Sequence, residues 1–134
     1  MKLLLDTHIL LWALSDDAQL PKKASKLLKN EKNEIYYSLV SLWEIQIKCL
    51  AHPGQMDFTA EQVAGYCAES GFYRLPISEE HIFCLQNLKR PESAPPHKDP
   101  FDRLLICQAM TENMLLVTHD RLIPDYNEPC VCSV

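Results

Sequence analysis

Four carboxylates in this chain have the placement that chemistry needs: Asp6, Glu44, Asp102 and Asp120. Asp6 ends the short apolar run KLLL, and Asp120 follows MLLVT within VTHDR. Both therefore fall just past segments that read as buried strands. Glu44 and Asp102 sit on predicted helices that follow neighbouring structure. Acidic groups gathered at one crevice repel one another, so such a cluster is costly without a cation. Hard divalent ions, Mg²⁺ or Mn²⁺, take oxygen ligands and keep several waters. The chemistry expected of that arrangement is metal-assisted phosphoryl transfer, in which the ion activates water and shields a scissile phosphate.

Each acid also has an ordinary explanation. Asp6 can precede a turn and cap a helix together with Thr7. Glu44 follows Ser41 at capping-box spacing. If Ser38 is the cap, however, Glu44 lies inside the helix near its buried side, where an unpaired carboxylate is expensive. Asp99 directly precedes Pro100 and reads as a helix cap. Asp102 then takes the third helical position, where a negative charge complements the helix dipole. Asp120 can be a surface residue paired with Arg121. His8, His97 and His119 show no HxH or HExxH spacing and are left outside any metal shell. No Ser or Cys occupies a nucleophile elbow.

The elements that must position these groups are legible from pattern. Strands are predicted at Lys2–Leu5, Glu34–Ser38, Phe72–Ile77, Met114–Thr118 and within Pro129–Val134. Helices are predicted from Thr7, which caps a segment carrying Ile9, Leu10 and Trp12, and from Pro21, placed in a first turn. A third covers Val40 to Ala51, with Val40, Trp43, Ile47 and Leu50 on one side. Others run from the capping box Thr59–Gln62 to Ser70, from Ser78 to Leu88, and from Asp99 to Asn113. Residues 89–98 hold three prolines and form the one clear loop. Short apolar strands alternating with helices imply an α/β chain with a mostly parallel sheet covered on both faces. In such folds ligands bind beyond the carboxyl ends of the strands.

Composition narrows the function classes. The chain has 134 residues, 47% of them hydrophobic and 23% charged, the size and balance expected of one globular domain spanning 1–134. Its net charge of −5 opposes passive binding of long nucleic acid, although a metal could supply local positive charge. With 3 Gly and no GxGxxG or GxxxxGK[ST], dinucleotide and P-loop chemistry fall away. Asp6 and His8 interrupt the first apolar run too early for a signal-peptide core, and no later run is long enough to span a bilayer. The expectation is a cytoplasmic chain whose 6 cysteines are reduced thiols. Five lysines among residues 22–32 read as a solvated face.

Taken together, LLLDTHILLW, SLVSLWEIQIK, HKDPFDRLLICQA and LLVTHDRLI resemble the PIN-domain ribonucleases, and in particular the VapC-type toxins of bacterial toxin–antitoxin pairs. These blocks span nearly the whole chain. The resemblance implies a three-layer α/β/α sandwich on a parallel sheet and Mg²⁺- or Mn²⁺-dependent cleavage of RNA. It carries the acidic residues onto Asp6, Glu44, Asp102 and Asp120, with Glu44 meeting metal directly or through water. It adds Asp99, Thr7 and Thr118 as supporting groups. It further implies homodimers and a cognate antitoxin, one of whose basic residues could enter the acidic pocket. Cys107 stands where a small Ala is usual, away from that pocket. Two rivals are weighed against this reading. A phosphorylation-receiver domain would need an acceptor Asp after the third strand and a Lys after the last, and both are missing. A PIN-fold binding module that has kept its acids but acts through partners stays open.

Overall fold

The computed structural model describes residues 1–134. Five parallel strands form one sheet: β1 (Lys2–Leu5), β2 (Glu34–Ser38), β3 (Tyr73–Leu75), β4 (Leu115–Thr118) and β5 (Val131–Ser133). Their order is β3-β2-β1-β4-β5. The chain therefore winds outward from β1 in one direction and then returns to build the other half. That reversal puts the topological switch point between β1 and β4, where doubly wound sheets open a crevice at their carboxyl ends. Leu5 pairs with Val117, so the residues that follow, Asp6 and Thr118, stand abreast across the crevice.

Six helices cover the sheet: α1 (Thr7–Leu14), α2 (Lys22–Lys29), α3 (Leu39–Ala51), α4 (Ala60–Glu69), α5 (Glu79–Cys84) and α6 (Pro100–Glu112). Two apolar clusters lie on opposite faces of the sheet. Leu3 and Leu5 meet Ile9, Leu10, Ile45 and Val63 on one side. Leu4 and Leu116 meet Val40, Leu105 and Ile106 on the other. The alternation of Leu3, Leu4 and Leu5 between these clusters is the period-two geometry of a strand buried on both faces. No helix is long and apolar enough to cross a membrane.

Several local expectations shift. Asp6, not Thr7, caps α1: its Oδ1 accepts from the Ile9 N–H at 2.9 Å. Thr7 is the first helical residue, and its hydroxyl donates to Ser41 Oγ. Pro21 is the residue before α2, one position earlier than a first-turn proline. The third strand stops at Leu75 because Pro76 has no N–H to continue the ladder. The helix expected through Leu88 tightens after Cys84 into a 3₁₀ turn, Leu85–Asn87. Ser38 does cap α3, with its Oγ accepting from the Val40 N–H at 2.9 Å.

The largest correction concerns α3. Val40 is buried, but Trp43 is 50% exposed, Ile47 40% and Leu50 71%. The inward face is instead Val40, Ser41, Glu44 and Ile45. The four apolar residues placed on one side therefore split, with Val40 inward and the other three outward, while Glu44, expected near the buried side, does face in. The cysteines behave as packed thiols. All six are free, and burial pushes the Cys67 and Cys130 thiols up to about 12 and about 11. Neither of these two is poised as a nucleophile.

Candidate active site at the carboxyl ends of β1 and β4

The main chain brings the four acids to one end of the sheet by three local devices. Asp6 leaves β1 as the α1 cap and is 4% exposed. Its second oxygen, Oδ2, accepts a hydrogen bond from the Thr118 hydroxyl at the end of β4. Thr118 Oγ1 also accepts from the Asp120 N–H at 3.0 Å, and Asp120 Oδ1 accepts from the Leu122 N–H at 2.7 Å. One threonine thus fixes the loops after both central strands. Asp99 caps α6, its Oδ1 accepting from Phe101 and Asp102 N–H, with Pro100 at the first helical position. That cap sets Asp102 at the third position, where its carboxyl turns toward the same crevice as the strand-end acids.

The electrostatics show how closely these groups gather. Burial first, then the negative charges of Asp99, Asp120, Glu44 and Asp6, push the Asp102 carboxyl up to about 8. Burial also raises Asp6. The Ile9 N–H, the Thr118 hydroxyl and His8 oppose that rise, and Asp120 adds to it. Glu44 is 4% exposed. Its Oε2 meets Lys48 Nζ at 2.8 Å, one turn further along α3. Its Oε1 is the one buried side-chain polar atom in the chain without a hydrogen-bond partner. A buried carboxylate oxygen left unpaired costs on the order of 1–3 kcal/mol. As the side chains stand, no three His, Cys, Asp or Glu residues close together as one coordination shell. The acids ring a shared space, each within electrostatic reach of Asp102.

His97, set aside on sequence grounds, lies against this ring. It is buried, with Nε2 3.1 Å from Asp102 Oδ2 and Nδ1 2.8 Å from the Tyr126 hydroxyl oxygen. Burial lowers its affinity for a proton, and the charges of Arg90 and Arg103 act in the same direction against Asp120 and Asp99. The Tyr126 hydroxyl also lies 3.4 Å from the His97 carbonyl oxygen, so His97 is held between Tyr126 and Asp102 through both ring nitrogens. Arg90 anchors the proline-rich loop that carries His97. It donates to the Pro95 and Leu122 carbonyls at 2.7 and 2.6 Å and lies 4.9 Å from the centre of the Tyr126 ring. The signal for His97 was the spacing HKDPFD, five residues before Asp102. The signal for Lys48 was its i+4 spacing from Glu44.

A hollow of about 210 Å³ opens at the crevice, lined by Asp6, Asp120, His8, Trp12 and His119. The largest hollow, about 590 Å³, lies at the opposite ends of the strands, where Met1, Met110, Met114 and Pro129 line it. It holds none of the four acids and lies at the wrong end of a parallel sheet for chemistry.

The PIN domain family model matches residues 3–129. No curated protein matches the sequence. Among solved structures, the chain is similar to one from the complex of VapBC2 from Rickettsia felis bound to a DNA fragment from its promoter. That likeness has a TM-score of 0.65 and 23% identity, and covers 100% of this chain and 98% of that one. It is also similar to a chain of a toxin–antitoxin complex from Klebsiella pneumoniae, with a TM-score of 0.58 and 22% identity over 97% and 95% of the two chains. At these identities the likeness carries the fold, in agreement with the strand order above. The family match spans every segment that builds the crevice, from β1 to the loop after β4, and on it the chain belongs to the PIN domain family.

Proposed function

We propose that this chain is a divalent-metal-dependent endoribonuclease, one PIN domain over 1–134, acting as the toxin of a toxin–antitoxin pair. The observation that carries the reading is the buried acid ring, with Glu44 Oε1 unpartnered and the Asp102 carboxyl pushed up to about 8 by burial and then by its acidic neighbours. An all-carboxylate donor set with one orphaned oxygen fits Mg²⁺ or Mn²⁺ better than a soft metal. Asp6, Asp102 and Asp120 would hold the ion, with Glu44 binding directly or through water. Bound there, a divalent cation supplies an activated water and shields phosphate charge. The protein's own part is positional: Thr118 orients Asp6 and the loop of Asp120, Asp99 sets the α6 terminus, the Thr7–Ser41 bond ties α1 to α3, and His97 holds Asp102.

Two further parts of the proposal rest on particular surfaces. The solved relatives are toxin–antitoxin complexes, which supports an antitoxin partner whose arginine could occupy the acidic ring. Trp43, Ile47 and Leu50 on α3, and Ile82 and Phe83 on α5, are large apolar residues left exposed, which supports a homodimer. Such a toxin would act in the cytoplasm, where its target RNA is. The Lys48–Glu44 ion pair favours a second reading, a non-catalytic binding module whose acid is already neutralised from within. The test is cleavage of single-stranded RNA with Mg²⁺, Mn²⁺ or chelator, using the wild type and Asp6→Asn. Metal-dependent cleavage that falls roughly 10²–10³-fold in a folded Asp6→Asn protein is the expected result. Equal cleavage by both proteins removes Asp6 from the site, and no cleavage under any condition leaves the binding module.

A further inference from the structure

Three aromatic rings stand at the mouth of the acidic ring and make no hydrogen bond to its carboxylates. His8 and Trp12 are four residues apart on α1, so both lie on one face of that helix, with ring centres 5.8 Å apart. His119 arrives from the segment after β4, and its ring centre lies 6.1 Å from that of Trp12 at an interplanar angle of 66°. These three rings and the carboxylates of Asp6 and Asp120 make up the whole lining of the 210 Å³ hollow. His8 and His119 are exposed, while Trp12 is half-buried against the core and so held in place. The backbone oxygen of Val134 can only accept, so His119 Nδ1–H donates to it at 2.6 Å, which fixes that ring to the end of β5.

We propose that Trp12, flanked by His8 and His119, is a stacking surface for an unpaired nucleobase of the RNA strand beside the phosphate at Asp6 and Asp120. The inference rests on the ribonuclease reading and names how that site grips its substrate. The charge balance favours it. With a net charge of −5 and an acidic crevice, the chain has little basic surface at this site with which to hold phosphates. Stacking is the uncharged route to affinity for single-stranded RNA, and it tolerates any base because every base has a π face. Trp12, packed against the core, and His119, held by its bond to Val134, lose little freedom on binding.

The test compares binding of two non-cleavable 2′-O-methyl oligoribonucleotides of equal length, one with all bases and one with central abasic positions. Wild type, Trp12→Phe and Trp12→Leu are measured, with melting curves to show that each is folded. The wild type should bind the complete strand on the order of tenfold more tightly than the abasic one. Trp12→Phe should keep most of that difference and Trp12→Leu should lose it. In a Trp43→Phe background, the complete strand should quench the fluorescence of the remaining Trp12, and the abasic strand should not. A folded Trp12→Leu protein that still separates the two strands as the wild type does overturns the stacking surface while leaving the ribonuclease reading intact. If Trp12→Leu keeps its preference for the complete strand but loses an arginine-rich peptide that the wild type binds, the rings belong to a protein partner and the proposal fails. If the wild type neither binds nor cleaves RNA, the ribonuclease reading fails and the stacking surface with it.

Discussion

Asp102→Asn should make the metal-free protein more stable at alkaline pH and flatten its pH profile. In the folded chain the Asp102 carboxyl titrates at about 8, while its ordinary value is 3.8. Between those values the folded state holds a proton that the unfolded state has released. Stability from this group is therefore fullest below about pH 4 and is lost as pH rises through 8. The useful window is about pH 6.5 to 8.5, since His97 charging destabilises the fold only at lower pH. Across it, a group with these two values loses about 2 kcal/mol of stability, from the linkage relation. In a domain of this size that is roughly 6 °C of melting temperature. The amide introduced by Asp102→Asn would keep the helical position and the reach to His97 but carry no charge at any pH in this window. The wild type should thus melt roughly 6 °C lower at about pH 8.5 than at about pH 6.5, and the variant should barely change. A cation that binds only the folded state adds about 2.7 kcal/mol at a hundredfold excess over its Kd. Mn²⁺ should therefore raise the wild-type melting temperature at the alkaline end of the window, and the variant should respond far less. Parallel wild-type and variant profiles, or a variant less stable than the wild type at that end, would show that Asp102 is not held in a crowded acidic ring.

Asp99→Asn should change stability by no more than about 0.5 kcal/mol, because Asn caps helices as well as Asp, and it should keep more of the metal response than Asp102→Asn, as paired melting curves with chelator and with Mn²⁺ will show. Lys48→Met should release Glu44 from its ion pair and tighten Mn²⁺ binding several-fold by titration calorimetry; unchanged affinity would place Glu44 outside the metal shell. Leu50→Glu combined with Ile47→Glu should turn a dimer into a monomer by sedimentation with no loss of melting temperature beyond that of dissociation, since both side chains already face solvent in the single chain.

The sheet was legible because its code is local. KLLL and LLVT can be buried strands and little else at that length, and the helices between them announce their caps at Ser38, Thr59, Ser78 and Asp99. The winding order was not in those signals. It depends on which strand pairs with β1 after a long excursion, and only the pairing of Leu3 to Leu5 with Leu115 to Val117 shows it. The acids could be named from their positions after strands and within caps. Their company could not. His97 reaches Asp102 because Arg90 pins a proline-rich loop against Tyr126, and those contacts join residues far apart in sequence, 32 for Arg90 and Leu122 and 29 for His97 and Tyr126. Loops of that kind carry no periodicity to read.

Helix α3 shows why sequence pattern misleads most where function is concentrated. A helix that serves only its own core turns its apolar residues inward. Here the inward face carries Ser41 and Glu44 beside Val40 and Ile45, and the outward face carries Trp43, Ile47 and Leu50. Both halves of that inversion are unfavourable for an isolated chain. A buried carboxylate oxygen has no partner, and three large side chains keep water against apolar surface. Under the proposed function each cost would have its own remedy, a cation on the inner side and a second protein surface on the outer. One thirteen-residue helix thus joins the acid ring to the face proposed for dimerisation. Rotating it to satisfy its own pattern would bury Trp43 and Leu50 but carry Glu44 away from Asp102, and the chain keeps the orientation that leaves both groups to be satisfied from outside.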